Sequence, residues 1–119
     1  MEFSEPKGIY IQIADQVCLR VLQGEWLPEQ RIPSIRELAI ELGVNPNTVT
    51  KSYQVLLDRE VIISQRGKGY FVCKAANSNV VSLMKEEFIK RDLPKLLKTM
   101  ELLGIGMSEL ESYILKLTK

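Results

Sequence analysis

The sequence predicts a mainly α-helical chain with one small β-hairpin and a helical C-terminal tail. Apolar residues recur at helical spacing along much of the 119-residue chain. Two short helical segments, 34–42 and 45–59, are separated by a glycine, and two strand-like segments then flank a glycine-containing turn. We therefore expect a helical domain with a hairpin over residues 1–74, a polar linker over 75–79 and a helical tail over 80–119.

The composition excludes several classes of function. Because 16 Lys and Arg residues are balanced by 15 Asp and Glu residues, an acidic partner must bind a local patch. The chain has no histidine, which excludes His-based zinc sites and Ser-His-Asp catalysis, and we expect neither enzymatic activity nor a cofactor. Cys18 and Cys73 are too few for a metal cluster or a disulfide framework and indicate a reducing compartment, the cytoplasm. We expect no membrane partner, because no segment approaches the ~20 apolar residues that span a bilayer.

The two short helices carry clear start and stop signals. Ser34 and Glu37 form the pattern of a capping box, and Gly43 ends this helix. Asn45 can cap the next helix, and Pro46 suits its first position because the missing N–H would be unpaired there anyway. Two helices joined by so short a turn indicate a helix-turn-helix.

A β-hairpin with a basic tip follows directly. Its predicted strands are 61–64 and 70–73, and the turn between them carries Arg66 and Lys68. Helix-turn-helix followed by hairpin is the winged arrangement. Residues 31–74 contain seven cations and four anions, so this region has a small positive excess and specific geometry must supply much of any DNA affinity.

Three segments resemble the winged-helix domain of the GntR family of transcription regulators: IPSIRELA at 32–39, LGVNPNTV at 42–49 and RGKGYFV at 66–72. The resemblance covers roughly residues 7–74, and the NPNTV segment and short tail resemble the YtrA subfamily. It implies a homodimeric repressor that binds an inverted-repeat operator in double-stranded DNA. It also implies targets that often include transporter operons, and it leaves room for an unidentified small-molecule effector.

The same resemblance implies which residues contact DNA. The second helix of the pair, 46–59, is expected to enter the major groove, where Asn can bond an adenine edge and Thr can contact the thymine methyl. The family's arginine at the position of Arg36 contacts DNA, although a surface pairing with Glu37 or Glu41 is the alternative. The predicted DNA-binding residues are Ser34, Arg36, Asn45, Asn47, Thr48, Thr50, Lys51, Arg66, Gly67 and Lys68.

The tail is predicted to form the dimer. Its apolar stripe over 83–117 is too wide to be buried by a two-helix hairpin alone. Pro94 is expected to kink or break the first tail helix near 91–93, and Ser108 with Glu111 is expected to cap the last one. The predicted dimer interface comprises Leu83, Phe88, Leu96, Leu97, Met100, Leu103, Leu110, Ile114 and Leu117.

Two departures and two alternative functions remain. Glu29 and Glu60 stand where family members usually have glycine; a positive φ costs glutamate about 1 kcal/mol, so we expect small local rearrangements there. An RNA-binding module that uses the basic hairpin is one alternative, because RGKGY at 66–70 partly matches the RNP1 strand of an RRM. A protein-interaction module whose active part is the tail is the other.

Overall fold

The computed structural model describes residues 8–118, in two compact units that divide after Ser82. The elements of the first unit are α1 (Ile9–Leu22), α2 (Ile35–Leu42), α3 (Pro46–Asp58), β1 (Ile62–Gln65) and β2 (Gly69–Val72). They are followed by α4 (Ala76–Glu87), a π-helical turn (Phe88–Asp92), α5 (Leu93–Leu103) and α6 (Met107–Leu117). None of the helices in residues 8–118 is long and apolar enough to cross a bilayer.

The helix-turn-helix forms as its local signals predict. The Ser34 hydroxyl accepts from the Glu37 amide at 3.0 Å, and the Glu37 carboxylate accepts from the Ser34 amide at 2.8 Å, which completes the capping box at the start of α2. Gly43 ends α2 with a left-handed φ of 67°. The Asn45 side chain then caps α3 by accepting from the Asn47 amide at 2.7 Å. These bonds join α2 and α3 through a turn of three residues, 43–45.

The hairpin pairs in antiparallel register, with Ile62 opposite Val72 and Gln65 opposite Gly69. Each strand lies one residue from its predicted bounds, and β1 starts late because the Val61 amide still donates to the Leu56 carbonyl at the end of α3. Arg31 adds an isolated bridge to Phe71, so the connector before α2 lies against β2. The hairpin is thereby tied to the chain that leads into the helix-turn-helix.

The core of the first unit is built from the apolar faces of α1, α2, α3, the hairpin and the start of α4. Tyr53 reaches across it, donating its hydroxyl to the Pro33 carbonyl at 2.6 Å and meeting the Tyr70 ring edge-on at 4.9 Å. Ser52 is buried as well, and its hydroxyl donates to the Tyr10 carbonyl at 2.7 Å. The largest fully buried apolar side chains besides Tyr53 are Ile32, Leu38, Leu56, Ile62, Val17, Val21, Val49, Val61, Val72 and Val80.

The two glutamates at glycine positions keep the left-handed backbone. Glu29 has φ 69° and Glu60 has φ 60°, so the expected local rearrangements do not occur. Tertiary hydrogen bonds hold both turns: the Glu29 amide donates to the Val72 carbonyl at 2.7 Å, and the Asn79 side chain donates to the Glu60 carbonyl at 3.0 Å. The fold therefore tolerates about 1 kcal/mol of strain at each position.

The predicted linker over 75–79 is wrong, because this segment is helical from Ala76 onward. Ala76 and Val80 lie one helical turn apart and are both fully buried in the core of the first unit. The segment contains neither Gly nor Pro, and burying this pair of side chains outweighs its polar composition. The compact unit consequently extends to Ser82.

In the second unit the helix changes form just before Pro94, as predicted. A π-helical turn, Phe88–Asp92, precedes α5, and Pro94 lies in the first turn of α5. Because proline has no N–H group, it cannot donate a hydrogen bond to a carbonyl in the preceding turn. The predicted cap at Ser108 is wrong. Helix α6 begins at Met107 after Gly106, and Ser108 lies inside it, with its carbonyl accepting from the Ser112 hydroxyl at 3.2 Å.

Candidate nucleic-acid interface

Helix α3 presents one polar face to solvent. Its buried residues follow helical spacing: Val49, Ser52, Tyr53 and Leu56. Its exposed polar residues lie on the other side of the helix: Asn47, Thr50, Lys51 and Gln54. Gln54, one turn beyond Thr50 and Lys51, was not among the predicted site residues, although its spacing from Asn47 could have identified it. Its amide donates to the Asp58 carboxylate at 3.1 Å.

Some predicted contact residues of α3 already have a structural role. The side-chain Oδ1 atom of Asn45 accepts the capping hydrogen bond, which leaves the side-chain NH₂ group for a ligand. The Thr50 hydroxyl donates to the Pro46 carbonyl at 3.1 Å, so the oxygen can still accept. Thr48 is half-buried, whereas Asn47 and Lys51 are exposed and make no side-chain hydrogen bond to any residue in 8–118. The side-chain polar groups of Asn47 and Lys51 are therefore available to bind a ligand.

Helix α2 presents Arg36 at its second residue. The alternative, an ion pair with a neighbouring glutamate, is contradicted by the structure. The Glu37 carboxylate accepts from the Ser34 amide, which is the main reason that the pKa of this carboxyl lies below its usual range. The Glu41 carboxylate binds Arg20 at 2.9 Å. Arg36 is exposed and has no ion pair within the described part of the chain.

Ser34 caps this end of α2. Its amide and its hydroxyl oxygen are both used in the capping box, but the hydroxyl only accepts there, so its hydrogen can still be donated to a phosphate. The next amides, of Ile35 and Arg36, belong to the first turn of the helix and have no partner in the helix itself. A phosphate oxygen is the kind of acceptor that such amides bind.

The wing tip carries exposed cations. Arg66, Gly67 and Lys68 are all exposed. The turn is closed by the positive φ of Gly67, 74°, and by a hydrogen bond of 2.9 Å from the Lys68 amide to the Gln65 carbonyl. Neither Arg66 nor Lys68 forms an ion pair with any described residue. A further cation, Arg31, lies against Gly69 at the base of this tip and was not among the predicted site residues.

The hairpin does not form the platform that an RRM needs. In residues 8–118 the sheet has two strands plus the single bridge at Arg31, whereas an RRM uses a four-stranded sheet with exposed aromatic rings. The Tyr70 ring is half-buried and packs edge-on against Tyr53, so it does not form an open stacking platform. The RRM-like alternative is therefore wrong in its fold.

Metal and thiol chemistry find no support in the described residues. No group of three or more potential metal ligands occurs among residues 8–118. Both cysteines are free thiols, and burial raises the pKa of the Cys18 thiol, which favours its unreactive protonated form.

The tail exposes much of its apolar surface. Leu97 is 52% exposed and Leu117 is 84% exposed, and most of the residues predicted to form the dimer interface are likewise exposed. Met100 is a correction to the predicted set, because its side chain is only 8% exposed and is already buried within the chain. Leu110 is half-buried. The other exposed members of the predicted set are Leu83, Phe88, Leu96, Leu103 and Ile114.

Comparison with known proteins agrees with this geometry. The family model described as "Bacterial regulatory proteins, gntR family" matches residues 9–72. The HTH-type transcriptional regulator YhcF of Bacillus subtilis is 35% identical over 92% of this chain and 88% of its own. The HTH-type transcriptional repressor YtrA of the same organism is 34% identical over 89% of this chain and 81% of its own.

Solved structures show the same fold. A transcriptional regulator of the GntR family from Bacteroides thetaiotaomicron superposes with a TM-score of 0.79 at 40% identity, covering 93% of this chain and 96% of that one. The DNA-binding domain of AraR, in complex with operator ORR3, superposes with a TM-score of 0.53 at 30% identity, covering 61% of this chain and 95% of that one. These relatives are transcription regulators and not enzymes, in agreement with the expectation from sequence.

Proposed function

Because the chain belongs to the GntR family of bacterial regulatory proteins, and is thus a helix-turn-helix transcription regulator, we propose that it represses transcription by binding an inverted-repeat operator as a homodimer. The observation that carries this proposal is the set of uncommitted polar and cationic side chains at the start of α3, the start of α2 and the wing tip. The repressor role is supported by the relative YtrA, and DNA as the ligand by the AraR–operator complex. The cytoplasm would be its place of action, where it can reach such an operator.

The start of α3 would read the bases. In a winged helix the recognition helix lies in the major groove with its first turns nearest the base edges. Asn47 can pair with the N6 and N7 groups of an adenine, and the Thr50 methyl and hydroxyl can contact a thymine. Lys51 and the free NH₂ group of Asn45 lie beside them on the same turns, where they can reach either a base edge or a phosphate.

The other two elements would position the protein. Arg36 and the first amides of α2 are suited to a phosphate, and the wing tip offers Arg66 and Lys68 to the neighbouring groove. Phosphate contacts fix the position of the protein on the duplex and add affinity for any DNA sequence. Base contacts determine which DNA sequence is preferred. We therefore assign sequence choice to α3 and most of the salt-dependent affinity to α2 and the wing.

The tail would form the dimer. Its exposed leucines and aromatic residues make an apolar surface that a monomer would leave in water. Two copies related by a two-fold axis would read two half-sites, and this predicts an inverted repeat. A chain ending at Ser82 keeps the buried Ala76 and Val80 and should be monomeric by sedimentation; a dimeric truncated chain would contradict the assignment. A small-molecule effector stays a prediction, and its site could form between subunits.

The decisive experiment is selection of bound duplexes from a random pool by the full chain. We expect enrichment of one inverted repeat. At one fixed salt concentration, the chain should bind that duplex much more tightly than single-stranded RNA of the same sequence. Enrichment of no sequence, or preference for the RNA, would refute operator binding. Dimerisation without any nucleic-acid affinity would instead support the protein-interaction alternative.

A further inference from the structure

Arg31 lies where the wing joins the chain that leads into α2. Its backbone bridges to Phe71, and the next amide, of Ile32, donates to the Tyr70 carbonyl at 2.9 Å. Because successive side chains of an extended segment point to opposite faces, and Ile32 points into the core, the Arg31 side chain lies on the outer face. It is exposed, and it runs alongside β2 toward the wing tip.

Gly69 provides the surface against which Arg31 rests. A Cβ atom at Gly69 would lie 2.9 Å from the Nε atom of Arg31 and 3.6 Å from its Cζ atom. Only glycine leaves room for this approach, and its φ of 117° is one that other residues rarely adopt. The guanidinium is thereby placed at the base of the turn that carries Arg66 and Lys68.

The charge of Arg31 is not neutralised by the protein. Within residues 8–118 its guanidinium forms no ion pair and no hydrogen bond. Glu37 senses the charge, since Arg31 contributes to lowering the pKa of that carboxyl, but the Glu37 carboxylate is bound to the Ser34 amide. Glu41, which lines the same cleft, is paired with Arg20. Arg31 therefore presents the N–H donors of a guanidinium, unpaired within the described residues, beside the base of the wing turn.

We propose that Arg31 binds a phosphate of the DNA backbone, between the phosphates contacted by the start of α2 and by the wing. This inference rests on the proposed operator binding and adds a residue to it. Guanidinium and phosphate match in a two-bond geometry, and the absence of a side chain at Gly69 leaves room for the guanidinium beside the wing turn. Since Arg31 lies outside the recognition helix, its contact would carry no sequence information.

The test compares Arg31→Gln with Lys74→Gln in the full chain. Both variants lose one exposed cation of the first unit, but Lys74 lies beyond the other end of β2, away from the wing tip. Affinity is measured over a range of salt for the selected operator and for an unrelated duplex. We expect Arg31→Gln to weaken binding to both duplexes about tenfold and to reduce the slope of log K against log salt by about one. Lys74→Gln should leave both quantities near the wild-type values.

Arg31→Lys and the melting temperature separate contact from structural support. The lysine variant should recover the salt slope but only part of the affinity, because an ammonium cannot make the two-bond contact. The proposal is overturned if Arg31→Gln binds both duplexes as tightly as the wild type. It is also overturned if the variant loses affinity together with a lower melting temperature while its salt slope stays unchanged. A changed preferred sequence would make Arg31 a base reader and also overturn it. If the wild type selects no duplex, the proposed function fails first.

Discussion

Replacing Arg36 by alanine tests the assignment of α2 to the DNA most directly. In the structure this side chain is exposed and makes no ion pair with any residue in 8–118, since Glu37 binds Ser34 and Glu41 binds Arg20. Its loss therefore removes no internal contact. It also removes a cation from the positive end of the α2 dipole, which is a slightly favourable change. We expect the free energy of unfolding to change by no more than about 0.5 kcal/mol.

Operator affinity should respond much more strongly. A lost arginine contact to DNA costs about 1–3 kcal/mol, which corresponds to about a 5- to 150-fold weaker Kd. Arg36→Lys should recover most of this loss if the partner is a phosphate and only part of it if the contact is bidentate to guanine. Lys74→Ala, which removes an exposed charge beyond β2, serves as the control with near wild-type affinity.

The assay measures melting temperature, sedimentation and operator affinity on the same preparation. Unchanged affinity in Arg36→Ala would remove this residue from the interface. An affinity loss accompanied by a lower melting temperature or by dissociation of the dimer would show that Arg36 acts through the fold. Either result would refute the reasoning that an uncommitted cation at the start of α2 is held for DNA.

Three further predictions test the wing, the tail and the strained backbone. Arg66→Ala and Lys68→Ala should weaken binding to all duplexes similarly and lower the salt slope by about one per lost phosphate contact; a shifted selected sequence would instead make the wing a base reader. Leu97→Asp should produce monomers in sedimentation and weaken operator binding, whereas the neighbouring Lys98→Asp should stay dimeric; a dimeric Leu97→Asp would exclude this part of the tail from the interface. Glu60→Gly should raise stability in urea by at most about 1 kcal/mol, because glycine relieves the positive φ but has more freedom when unfolded. A less stable variant would show that the glutamate side chain has a role of its own.

The helix-turn-helix could be predicted residue by residue because its signals act over a few positions. The capping box at Ser34, the glycine at position 43 and the Asn45-Pro46 start all satisfy or avoid backbone groups within one turn of helix. The hairpin followed from similarly local rules. One local signal was misleading: Ser108 has a capping sequence, yet α6 begins before it at Met107, with Gly106 as the extended N-cap residue.

The outward-facing positions of α3 were predictable from the sequence, whereas the hydrogen-bond and ion-pair partners of the candidate site residues were not. Spacing on α3 identified Asn47 and Lys51 as outward-facing polar residues, and the same spacing applies to Gln54. Whether Arg36 pairs with Glu41 could not be derived from sequence, because Glu41 has a competing partner, Arg20, from a different helix. Such choices depend on distances between residues that are far apart in the chain.

The sequence by itself determined the order of elements, the helix ends of the helix-turn-helix and the basic wing tip, since each depends on backbone hydrogen bonds or turn chemistry within a few residues. Only the tertiary structure decided the remainder. It held Glu60 in a left-handed turn through Asn79, and it drew Ala76 and Val80 into the core as helix. It also set Arg31 against Gly69, 38 residues away. At Glu60 a tertiary hydrogen bond outweighed a local preference of about 1 kcal/mol, and at the other two places contacts between distant segments decided what local signals did not.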